Sequence, residues 1–104
     1  MDAIPGKEWQ SRLVIDDPEI DWLRQEIDSI DRELLGLVRK RVDKVLAVGA
    51  LKKKKGLPIY DPAREAALLD RLSQGASEPL DPNLVRAVFE TLVRECRRIE
   101  TERH

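Results

Sequence analysis

The sequence predicts an all-α chain of three helices, the first much longer than the others, and three observations carry that reading. From Glu19 onward, apolar residues recur at steps of mostly three and four without an interrupting proline until Pro58. Two later segments open on Asp-Pro, at Asp61-Pro62 and Asp81-Pro82, which joins an N-capping carboxylate to a proline preset for the first helical turn. No segment alternates apolar and polar residues in the way a half-buried strand does.

The chain begins with a tail. Residues 1–18 hold Pro5, Gly6 and Pro18 with scattered Trp9, Leu13, Val14 and Ile15, and no period is sustained, so the helical domain is placed at 19–104. The first helix carries Ile20, Leu23, Ile27, Ile30, Leu34, Leu37, Val38, Val42, Val45 and Val48 on its apolar stripe. Gly56 is its expected C-terminal cap, and the lysines at 52–55 suit the negative end of the helix dipole. The second helix is expected from Asp61 through Leu68, Leu69 and Leu72 to Gly75, with "SQGASEP" as the turn that follows. The third starts at Asp81-Pro82 and sets Leu84, Val85, Val88, Phe89, Leu92, Val93, Cys96 and Ile99 on its apolar face.

Length then argues for a partner. A first helix running from Glu19 to Gly56 would measure roughly 55 Å, against a radius of gyration of about 13 Å for a compact domain of this size. The two shorter helices cannot cover such a stripe, and a homodimeric helical bundle is the expected way to bury it.

Composition narrows the function classes. Nineteen Lys and Arg residues face twenty Asp and Glu, a net charge of −1, which argues against a general binder of nucleic acid or membrane surface. The lysine run alone does not make a DNA-binding protein, since no helix-turn-helix pattern accompanies it. A single cysteine, Cys96, permits neither an internal disulfide nor a multi-cysteine zinc site and fits a reducing, cytoplasmic setting. The opening residues lack the layout of a signal peptide, and no apolar run approaches a membrane span.

Charged residues that break the apolar pattern are the functional candidates. At 100° per residue, Arg41, Val45, Val48 and Lys52 fall on one narrow face of the first helix, two cations three turns apart framing an apolar floor. Snorkelling past the core would explain one such cation, but not two aligned across that floor. Arg24 lies about 100° round the helix from Arg41, placed to reach a partner's site rather than its own. At the third residue of the second helix, where a capping box takes Glu, the chain has Arg64, with Glu65 one place later. Ordinary helix chemistry does not ask for that order; a bound carboxylate does, because Arg grips it with two parallel charge-assisted hydrogen bonds. Glu100 stands one turn beyond Cys96 on the third helix's apolar seam, either as a frayed, solvated end or as a site carboxylate.

The segments "LRQEIDSIDRELLGLVRKR", "VGALKKKKGLPIYDPAREAALLDRL" and "FETLVRECRRIE" resemble, in that order, the all-helical chorismate mutases of the AroQ class over about residues 20–100. Arg24, Arg41, Lys52, Asp61, Arg64 and Glu65 coincide in type and spacing with that family's active-site pattern. The resemblance implies an intertwined dimer of three-helix chains and a reaction, the rearrangement of chorismate to prephenate on the route to phenylalanine and tyrosine. That reaction is an intramolecular [3,3] shift needing no nucleophile, metal or cofactor. It is accelerated by holding the reactive conformer and stabilising charge at the breaking ether bond.

By the same resemblance, Arg41 and a partner's Arg24 would hold the substrate carboxylates, with Arg64 adding positive charge. Lys52 would donate to the ether oxygen. Glu65 and the backbone at Asp61 would hold the ring hydroxyl, and Val48 would form the apolar wall. One position departs from the pattern, Cys96, which stands where a small hydroxyl residue is frequent; Glu100 stands where the family has Gln or Glu. A Glu100 opposite Lys52 would serve as the protonated acid, donating a hydrogen bond, so that activity falls as it ionises. Two other readings compete: an isochorismate pyruvate lyase of the same fold, and a non-catalytic helical dimer that regulates a pathway enzyme.

Overall fold

The computed structural model describes residues 17–103; the tail expected at the N-terminus lies outside them apart from Asp17 and Pro18. Three helices follow in order: α1 Pro18–Lys55, α2 Pro62–Gln74 and α3 Pro82–Glu102. The described residues contain no strand. All three helices start alike, on an Asp cap followed by proline. The Asp61 carboxylate accepts from Arg64 N–H at 3.0 Å and that of Asp81 from Leu84 N–H at 2.8 Å. Asp17 does the same for α1, accepting from Glu19 N–H at 2.8 Å and Ile20 N–H at 3.3 Å. This third Asp-Pro moves the start of α1 from the expected Glu19 to Pro18.

The helix ends follow from local chemistry. Gly56 has φ +69, a left-handed conformation that favours glycine. Leu57 N–H then reaches back to Lys52 O at 2.8 Å and Gly56 N–H to Lys53 O at 3.3 Å, the paired bonds of a Schellman cap. At the end of α2, Ser73 and Gln74 remain helical, so the turn begins at Gly75, later than expected. Ser73 is buried and donates its hydroxyl to Leu69 O at 2.7 Å, which keeps it on the helix.

The described chain divides into two compact units, one ending at Val38 and one starting at Arg39. In the first, the apolar stripe of α1 stands open: Leu23, Ile27, Ile30, Leu34 and Leu37 are all more than half exposed. In the second, α2 packs against α3, and Val85, Val93 and Cys96 form the buried apolar centre. Leu84 and Val88, expected on the same face of α3, are exposed, because no described residues cover that side. The C-terminal part of α1 meets α3 at Gly49, which is buried; a Cβ there would lie 2.9 Å from Glu100 Cγ. No described helix is long and apolar enough to cross a membrane.

Candidate active site

Within the second unit, the three helices enclose a cavity of about 310 Å³, the size of a small-molecule site. Its first wall is the face of α1 that carries Arg41, Val45, Val48 and Lys52, aligned by the helical period over three turns. The N-terminal turns of α2 bring Asp61, Arg64, Glu65 and Leu68. The third wall is the seam of α3, on which Val93, Cys96, Arg97 and Glu100 recur at steps of three, one and three. Ile59, in the link between α1 and α2, closes one edge.

Lys52 is fixed at the end of α1 by two contacts. Its ammonium donates to Ile59 O at 2.6 Å and lies 3.4 Å from Glu100 Oε2. Glu100 is only 6 % exposed, so it is a cavity residue and not a frayed helix end. Its Oε2 accepts no hydrogen bond in spite of the nearby ammonium. Buried polar atoms are normally paired, and this one is left without a hydrogen bond on a residue of the cavity wall.

The cavity's arginines are held differently. Arg41 Nη1 donates to Cys96 Sγ at 3.1 Å, and sulfur is a weak acceptor that leaves the guanidinium charge uncompensated. The Arg64 backbone N–H serves the Asp61 cap, while its side chain is exposed. Among the described residues, neither guanidinium is paired with a carboxylate. Glu65, by contrast, is half-buried and lies 3.4 Å from Arg97 Nε, and the Arg97 guanidinium stacks 4.2 Å over the Tyr60 ring. Two guanidiniums without carboxylate partners, the anchored Lys52 ammonium, Lys44 on the same wall and a tied carboxylate suit a small, multiply anionic ligand with a neutral polar group at one end. Among the described residues, no group of three His, Cys, Asp or Glu side chains is placed to hold a metal ion.

Eight of the nine candidate residues named from the sequence line this one cavity: Arg41, Val48, Lys52, Asp61, Arg64, Glu65, Cys96 and Glu100. The ninth, Arg24, is an exposed residue of the first unit. Four contributors escaped the sequence reading, the first being Lys44, which lines the cavity beside Val45. Arg97 falls four residues after Val93 and three before Glu100, and a wheel of α3 drawn to include charged residues would have marked it. The Ile59 carbonyl that anchors Lys52 has no side-chain signature. Gly49 reads as an ordinary helical glycine until the approach of Glu100 is seen.

Comparison with known proteins supplies a context for this geometry. Residues 23–101 match the family described as Chorismate mutase type II. The chain is 38 % identical over 86 residues to the T-protein of Enterobacter agglomerans, covering 82 % of this chain and 23 % of that protein. It is 30 % identical over 83 residues to the 4-amino-4-deoxychorismate mutase of Streptomyces venezuelae, covering 79 % of this chain and 81 % of that protein. Among solved structures, the chorismate mutase from Helicobacter pylori in complex with prephenate superposes with a TM-score of 0.76 at 31 % identity, over 83 % of this chain and 93 % of the other. The chain thus spans about a quarter of the T-protein and most of the other two.

Proposed function

The chain belongs to the chorismate mutase type II family, and from that premise we propose that it rearranges chorismate to prephenate. The observation that carries the proposal is one cavity holding two guanidiniums without carboxylate partners, Arg41 and Arg64, beside an ammonium, Lys52, that is already anchored. Chorismate is a dicarboxylate whose ether bond breaks as a new carbon–carbon bond forms within the same molecule. Arg41 takes one carboxylate, and Arg24 of a second copy takes the other. Binding both ends selects the folded conformer in which the reacting carbons approach, which removes much of the entropic barrier.

Lys52 then donates to the ether oxygen as negative charge grows there, a stabilisation preorganised by the Ile59 carbonyl. Glu100 approaches the same oxygen from α3, its carboxyl 3.4 Å from the Lys52 ammonium. Glu65 and the backbone at Asp61 receive the ring hydroxyl, and Val48 packs on the ring. Nothing in this sequence of events needs a covalent intermediate.

The shared site requires a dimer, and the open apolar stripe on the first unit supports one. Leu23, Ile27, Ile30 and Leu34 are surface that water should not cover, and a second copy of α1 has the matching stripe. The single cysteine accords with a cytoplasmic enzyme.

A second reading, rearrangement of 4-amino-4-deoxychorismate, is favoured by the relative that bears that name. The deciding experiment supplies purified protein with chorismate, isochorismate and 4-amino-4-deoxychorismate separately and identifies products by mass. Prephenate from chorismate is expected. Pyruvate release from isochorismate would instead establish a lyase, and no turnover of any of them would leave a binding module. Within the mutase reading, Glu100→Ala should lower kcat/KM for chorismate; an unchanged value in a folded variant removes Glu100 from the chemistry.

A further inference from the structure

We propose that Arg97 is the residue that makes this site choose a hydroxyl over an amine at the ring position that Glu65 receives. The inference rests on the chorismate mutase reading and deepens it. Three observations place Arg97 in that role: it lines the cavity, its Nε is 3.4 Å from Glu65 Oε2, and its guanidinium lies 4.2 Å over the Tyr60 ring. Tyr60 immediately precedes the Asp61 cap, so the stacking ties α3 to the entry of α2, where Glu65 sits.

The chemistry follows from charge. A lone Glu65 would prefer an ammonium, which brings a full positive charge to its carboxylate. With Arg97 in place, that carboxylate is already compensated, and the pair offers no net charge. A hydroxyl loses nothing by this, since it needs only an acceptor lone pair, and Glu65 retains several.

An aliphatic amine, which is protonated at neutral pH, meets the opposite situation. Bonded to Glu65 Oε2 at about 2.8 Å, it would stand no farther than about 6 Å from Arg97 Nε. Repulsion at that range, in a site open enough to be partly screened, is worth about one to two powers of ten in relative preference. Arg97 is therefore both a positioning residue, holding the Glu65 carboxylate, and a filter on the substrate.

The test compares kcat/KM for chorismate and for 4-amino-4-deoxychorismate in the wild-type chain and in Arg97→Ala, Arg97→Gln and Arg97→Lys. The wild type should favour chorismate. Arg97→Ala and Arg97→Gln should each lower the chorismate-to-amine ratio at least tenfold, through a gain on the amine as well as a loss on chorismate. Arg97→Lys keeps the charge but not the stacked planar group, so its ratio should stay near the wild-type value while KM for chorismate rises. Arg97→Gln, close in shape to Arg, guards against a folding defect in the alanine variant; its helicity and melting temperature are read alongside.

Equal loss on both substrates, or no change in the ratio, overturns the filter and leaves Arg97 a structural residue. A wild type that favours the amine overturns it too. Failure of the wild type to convert either substrate is a different result, because it removes the mutase reading itself and this inference with it.

Discussion

Up to Val38, α1 presents Leu23, Ile27, Ile30 and Leu34 more than half exposed, whereas from Arg39 the same period carries Arg41, Val45, Val48 and Lys52 into the wall of a cavity. The two stretches have the same spacing of apolar residues and opposite surroundings. Periodicity fixes which side chains share a face, and the tertiary neighbours decide what that face does. In the second stretch the neighbours belong to the chain itself. In the first, no described neighbour covers the stripe, and under the proposed dimer a second copy would cover it and bring Arg24 to its ligand.

The strongest test of this contrast joins the two stretches across copies. Arg24→Ala and Arg41→Ala should each abolish turnover. Refolded together, the two variants should recover about a quarter of wild-type activity, since half the dimers are mixed and each has one complete site. Mixed dimers that form and stay inactive would show that Arg24 serves no partner site.

The next largest effect tests the second stretch alone. Lys52→Ala should cost on the order of 3 kcal/mol of transition-state stabilisation, a hundredfold or more in kcat/KM. Lys53→Ala, one residue round the helix and off the cavity wall, should stay within about threefold of wild type. Equal losses would move the reactive oxygen away from Lys52.

Leu34→Ala sharpens the other side of the contrast. In an isolated chain this half-exposed leucine contributes little, but against a partner its truncation should cost about 2 kcal/mol and make the melting temperature depend more steeply on protein concentration. A change of only a few tenths, seen by thermal melts across a dilution series, would mean that no partner covers the stripe. Asp81→Ala is the smallest effect: loss of the α3 cap costs about 1 kcal/mol and leaves kcat/KM unchanged where the protein is folded.

Much of this was legible in the residues. The two Asp-Pro starts and the Gly56 end are local signals, complete within a few positions, and each forms the predicted bonds. Arg41 and Lys52 were visible because both are charged and lie on an apolar face. Pro18 was missed as a helix start because a proline-bearing tail surrounds it. Arg97 and the Ile59 carbonyl were missed because their importance is a matter of what they touch: a carboxylate on α2 in one case, an ammonium on α1 in the other. Contacts between elements leave no mark on either element's own period.

Gly49 ties two distant positions into one unit of inheritance. On helix propensity alone, alanine at 49 would gain up to about 1 kcal/mol over glycine. The 2.9 Å that separates its Cβ from Glu100 Cγ closes that route unless position 100 moves or shortens in the same step. Drift toward a more stable α1 is thus blocked at 49 for as long as a long carboxylic side chain is kept at 100, and an engineer seeking to stabilise this helix should treat the two as a single site.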